Sequence, residues 1–152
     1  MSLSVDTNIL VYTIDPTHRS KHQAAIEILQ QLSLGDHGLT QQVIGEFLNV
    51  CRRQDKALHS ALRRTAERYA RIFPVMQTQA AFLFPAFDRA TRFKIQFWDA
   101  LIITICLANG VTHLLSEDLQ DGQKFDGLTI INPFNPGNEA TLKRLMAKEE
   151  TS

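Results

Sequence analysis

The chain has 152 residues, 44% hydrophobic and 21% charged, with sixteen basic and sixteen acidic side chains and a formal net charge of zero. That size and composition predict one soluble globular domain with a substantial core. They exclude a protein that grips nucleic acid through an overall basic excess.

Residues 3–5 form a short apolar run that predicts a buried strand, followed by a turn at Asp6-Thr7-Asn8. The run is broken by Asp6 and has no basic lead-in, so no secretory leader is expected. Asp15-Pro16-Thr17 breaks the chain, and apolar residues at helical spacing predict a helix over about 20–34. Gly35-Asp36-His37-Gly38 stops it. Leu39-Thr40 reads as a second short strand or an entry segment.

The next helix, near 42–53, buries Val43, Ile44, Phe47, Leu48, Val50 and Cys51. On a helical wheel Glu46 falls roughly 40° beyond Val50, at the border of that stripe. A helix over 58–73 follows, with Arg64, Arg68 and Arg71 together opposite its apolar side. Seven basic residues against two acids lie between Arg52 and Arg71. That face reads as a solvated surface or as a dock for an RNA backbone or an acidic partner.

Residues 74–76 suggest a strand, and 77–93 a helix that Pro85 should kink or divide. A helix over 98–109 is apolar nearly all round and should be buried against a sheet, with Gly110 just past its end. Its longest apolar stretch, 100–108, is far too short to span a bilayer. Strands are expected over 111–116 and 128–131, and Asn138 should cap a final amphipathic helix through Leu142, Leu145 and Met146. Cys51 and Cys106 both sit in helical apolar patterns, as small buried hydrophobes of a reducing cytoplasm.

Strands alternating with helices predict an α/β sandwich with a mainly parallel central sheet. Active clefts of such sheets lie beyond the carboxyl ends of the strands. Asp6 and Asp118 each directly follow a predicted strand, Asp99 opens the most apolar helix, and Glu46 borders a core stripe. Carboxylates converging in this way repel one another unless a cation joins them, and hard oxygen ligands suit Mg²⁺ or Mn²⁺. An EF-hand register fails from Glu117 and from Asp118, a phosphoaspartyl enzyme would need an acid at Asn8, and no Gly-rich phosphate loop occurs. The five histidines show no metal-ligand or nucleophile–base constellation.

Val5-Asp6-Thr7-Asn8-Ile9-Leu10, the isolated Glu46, Phe97-Trp98-Asp99-Ala100-Leu101-Ile102 and Leu115-Ser116-Glu117-Asp118 together resemble the PIN-domain ribonucleases. More narrowly, they resemble the VapC-type toxins of toxin–antitoxin pairs. The resemblance implies a three-layer α/β/α sandwich, with a nuclease domain over 1–134 and a helical tail over 135–152 that belongs to it or partly frays. It implies that Asp6, Glu46, Asp99 and Asp118 bind Mg²⁺ or Mn²⁺ and direct metal-assisted hydrolysis of RNA phosphodiesters. Asn8 would hold Asp6 or an ordered water, and Ser116 would support Asp118 or touch the scissile phosphate. Asp121 is a candidate extra acid, but neither it nor Glu117 is assigned a direct metal bond. Pro85 and the basic stretch from Arg52 to Arg71 match no motif of the family; Arg64, Arg68 and Arg71 are candidate substrate-binding residues by their charge alone. A cognate antitoxin and a homodimer are the implied partners. The competing expectations are a catalytically silent PIN-like module that binds RNA or protein, and a structure-specific DNA nuclease.

Overall fold

The computed structural model describes residues 2–147. It is a three-layer α/β/α sandwich around a four-stranded sheet. The strands are β1 (Leu3–Val5), β4 (His113–Leu115), β6 (Leu128–Ile131) and β5 (Lys124–Phe125), in the spatial order β1-β4-β6-β5. β1, β4 and β6 run parallel, with Val5 level with Leu115 and Leu115 level with Ile131. β2 (Leu39–Thr40) and β3 (Val75–Met76) pair in parallel as a separate small sheet.

Among the described residues, seven helices surround these strands: α1 (Thr7–Tyr12), α2 (Arg19–Leu32), α3 (Gln41–Arg52), α4 (His59–Ile72), α5 (Leu83–Phe93), α6 (Phe97–Ala108) and α7 (Glu139–Met146). Residues 100–106 of α6 are all buried, as an all-round apolar helix requires. α6 packs against β2 and β6, and α5 packs along α6. Thr40 caps α3, its hydroxyl accepting from the Val43 N–H at 3.1 Å. No described helix is long and apolar enough to cross a membrane.

Three local expectations need correction, and one element was not foreseen. Asp6-Thr7-Asn8 does not end in a turn: the Asp6 carboxylate accepts from the Thr7 N–H at 2.8 Å and caps the two-turn helix α1. Pro85 does not kink a long helix. A 3₁₀ turn over Ala80–Phe82 precedes α5, and Pro85 is the third residue of α5, where an N–H has no helical partner to lose.

Asn138 does not cap α7 with its side chain; its amide instead donates to both Asp121 carboxylate oxygens, at 3.1 and 3.0 Å, and to the Asn132 carbonyl at 2.9 Å. Finally, β5 and β6 form an antiparallel hairpin through Asp126-Gly127. Both loop residues have positive φ, 51° and 102°, which the right-handed strand twist favours in a two-residue loop. The expected fraying of the last residues concerns positions outside those described, whereas Leu142 of α7 is buried in the core.

Candidate active site

The parallel sheet sets the site. Asp6 leaves β1 and Ser116-Glu117-Asp118 leave the adjacent β4, so both segments emerge at the same carboxyl edge. The Asp6 N–H donates to the Leu115 carbonyl at 2.8 Å, fastening the two exits together. Ser116, fully buried, then joins them through side chains. Its hydroxyl donates to Asp6 Oδ2 at 2.9 Å and accepts from the Asp118 N–H at 3.2 Å.

Glu46 arrives from α3 and is held from two sides. Thr7 Oγ1 donates to one of its carboxylate oxygens and Gln42 Nε2 to the other, the latter at 2.9 Å. Gln42 Nε2 also donates to the Trp98 carbonyl at 3.0 Å, which ties α3 to the first turn of α6. Asp99 lies in that turn, half-buried. Asp118 is exposed.

Asp6 and Asp99 each lie within electrostatic reach of other acids of the set. Asp6 is only 5% exposed, and burial pushes its carboxyl up to about 6; hydrogen bonds from Ser116 and Thr7 oppose the rise, and the charges of Asp99 and Asp118 add to it. Asp99 is also raised, by burial first and then by Glu46 and Asp118. Asp99 thus links Asp6, whose pKa it raises, to Glu46 and Asp118, which raise its own.

Asn8 adds a second signature. Both polar atoms of its side chain are buried with no hydrogen-bond partner among the described residues. A buried amide with neither donor nor acceptor satisfied calls for a water or an ion. Among the described residues, no three His, Cys, Asp or Glu side chains are already drawn into a metal-binding group. The donor set is nevertheless all hard oxygen with an excess of negative charge, which fits Mg²⁺ or Mn²⁺ in its chemistry.

The nearby acids have other work. Burial would raise Glu117, but Lys21 Nζ at 2.8 Å and the Tyr12 hydroxyl hold it below the usual carboxylate range. Asp121 accepts from the Asn132 N–H at 2.9 Å, from Asn135 Nδ2 at 2.9 Å and from Asn138, and these bonds lower its pKa. It ties the loop after β4 to the segment before α7. Asp121→Ala should cost about 1 kcal/mol of stability in chemical denaturation, a hydrogen-bond-sized loss at an exposed site. Any stabilisation by Mn²⁺ should survive that change, because Asp121 is not one of the converging acids.

Arg64, Arg68 and Arg71 lie on the exposed side of α4. Arg64 donates to Ser60 Oγ at 2.9 Å, Arg68 lines a hollow between α2 and α4, and no hydrogen bond or ion pair among the described residues joins the three to the acids. A larger hollow of about 770 Å³ opens between α2 and α7 and likewise includes none of the four acids. Thr7, Gln42 and Lys21 are the residues that sequence reasoning missed. Thr7 abuts Asp6 and Gln42 stands one helical turn before Glu46, so both left a trace; the pairing of Lys21 with Glu117 left none.

Comparison with known proteins bears on the whole arrangement. A family model described as PIN domain matches residues 3–124. No curated protein matches the sequence significantly. Among solved structures, VapBC2 from Rickettsia felis, bound to a DNA fragment from their promoter, is similar with a TM-score of 0.64 at 17% identity, covering 86% of this chain and 97% of that one. A toxin–antitoxin complex from Klebsiella pneumoniae gives 0.64 at 15% identity, covering 88% and 98%. VapC20 from Mycobacterium tuberculosis, a Sarcin-Ricin loop cleaving toxin, gives 0.60 at 19% identity, covering 74% and 87%. At such identities the likeness concerns the fold.

Proposed function

The chain belongs to the PIN-domain family, and from that premise we propose that it is an Mg²⁺- or Mn²⁺-dependent endoribonuclease, the toxin of a toxin–antitoxin pair. PIN domains are nucleases. The observation that supports the reading is that Asp6 is raised by Asp99 and Asp118, and Asp99 by Glu46 and Asp118, while Asn8, two residues after Asp6, has both polar side-chain atoms unsatisfied. These four carboxylates would hold the ion. When bound, such an ion supplies an ionised water at neutral pH and offsets charge on the leaving oxygen.

The chain's own residues do the positioning. Ser116 fixes the Asp6 carboxylate against the Asp118 backbone, and Thr7 and Gln42 aim Glu46. Asn8 has both a donor and an acceptor free for an ordered water. Arg64, Arg68 and Arg71 would engage RNA phosphates away from the cleft.

The partners follow from the same reading. Several similar structures are toxin–antitoxin complexes, which supports an antitoxin that covers the acids of this chain. Leu83, Phe84 and Phe87 are 37%, 74% and 65% exposed along α5, an apolar surface that supports a homodimer. Both cysteines are buried free thiols, in keeping with a reducing cytoplasm.

Purified protein should cut an unpaired RNA oligonucleotide in the presence of Mn²⁺, stop when the ion is chelated, and leave a DNA of the same sequence intact in the same tube. Preferential cutting of the DNA would reassign the substrate. No cutting of either, over a range of metal concentrations, would leave a binding module.

A further inference from the structure

We infer that Trp98 is the platform on which an unpaired base next to the cleaved phosphodiester stacks. The inference rests on the nuclease reading and adds to it a specificity-determining residue. Trp98 is 60% exposed at the second position of α6, next to Asp99. A single exposed indole is unremarkable on an ordinary surface. Its place is what distinguishes this one.

Its carbonyl accepts from Gln42 Nε2, and the same nitrogen group holds Glu46 Oε1. The backbone that carries the indole is therefore built into the network that aims Glu46. The ring packs edge-to-face with Phe97 at 5.1 Å between centroids, which orients it while most of it stays in solvent. On the other flank, the rings of Tyr12 and Phe134 are already covered by the Lys21 ammonium, at 5.4 and 5.5 Å from their centroids. Trp98 is an open aromatic surface carried one residue before Asp99.

A cleft of four acids repels a phosphate backbone, so the affinity that seats substrate must come partly from uncharged contacts. Base stacking on an exposed aromatic supplies such affinity whatever the base, provided the base is unpaired. A duplex offers no free base face, so the same ring selects against paired RNA.

Trp98 is the only tryptophan in the chain, and its emission therefore reports this ring alone. Unpaired RNA titrated into the cleavage-deficient Asp6→Asn protein with Mg²⁺ should quench that emission, whereas the matching duplex should not. In the otherwise wild-type protein, Trp98→Ala should raise KM about tenfold with little change in kcat. It should leave the salt dependence of binding unchanged because no charge is lost, and Trp98→Phe should restore most of the KM. Absence of quenching, or a wild-type KM in Trp98→Ala protein that still cleaves, would overturn the inference while the nuclease reading stood. So would a change of oligomeric mass that accounts for the lost activity, because the ring would then belong to a contact between copies. If the wild-type protein cuts no RNA, the nuclease reading fails by itself, and quenching still decides whether Trp98 meets nucleic acid.

Discussion

Asp6→Asn protein should lose RNA cleavage by at least about 10³-fold, yet melt at a higher temperature than the wild type when both are free of divalent ions at pH 8. On the proposed function, the first loss follows because Asp6 would be a charged ligand of an ion that supplies several kcal/mol of transition-state stabilisation. The gain follows from burial. The Asp6 carboxyl titrates at about 6 in the folded protein and near 3.8 in an ordinary setting.

A folded pKa above the unfolded one means that the native state prefers the protonated acid. Its contribution to stability is full below about pH 4 and is lost as pH rises through 6. At pH 8 the ionised Asp6 therefore costs about 2–3 kcal/mol, and the neutral amide removes that cost. The asparagine oxygen can still accept from the Thr7 N–H, so the cap on α1 survives. Thermal melting of the two proteins should differ by about 5–10 °C for a chain of this length. A melting temperature at or below that of the wild type would show that Asp6 is not the strained acid described here.

Mn²⁺ should reverse the same penalty, and only where the carboxylates are ionised. At a hundredfold excess over its dissociation constant, an ion that binds only the folded chain adds about 2.7 kcal/mol. At pH 8 the melting temperature should rise by about 5–10 °C. The rise should shrink as pH falls through 6, because protonated Asp6 must first release its proton, and Asp99, raised for related reasons, acts in the same direction. Melting curves at pH 5 and pH 8 with and without Mn²⁺ measure this directly. Equal shifts at the two pH values would place the ion away from Asp6.

Strong and local signals made much of this arrangement legible in the sequence. α6 is apolar on every side, so its burial and its end at Gly110 could be read from residue types alone. Asp6 and Asp118 each follow a short apolar run, and parallel strands deliver such residues to one edge. Glu46 stood out by falling just off a core stripe.

What escaped was set by partners distant in the chain or by neutral side chains. Thr7 holding Glu46 and Gln42 bridging to Trp98 leave no periodicity, because a hydroxyl and an amide suit a solvated helix equally well. Asn138 has the residue type of a helix cap, yet Asp121, seventeen residues earlier, offers it a charged acceptor, and the tertiary bond wins. Asp126-Gly127 was a readable hairpin signal, but it was obscured by the shortness of β5.

The placement of Asp99 limits how such a molecule can be silenced. Its helix is sealed inside the domain immediately beyond that residue, with 100–106 wholly buried. Local fraying of an exposed loop could not carry this carboxylate out of position; only global unfolding could. On the proposed function, an inhibitor would act by covering the acids rather than by displacing Asp99, and its departure would need no refolding of α6.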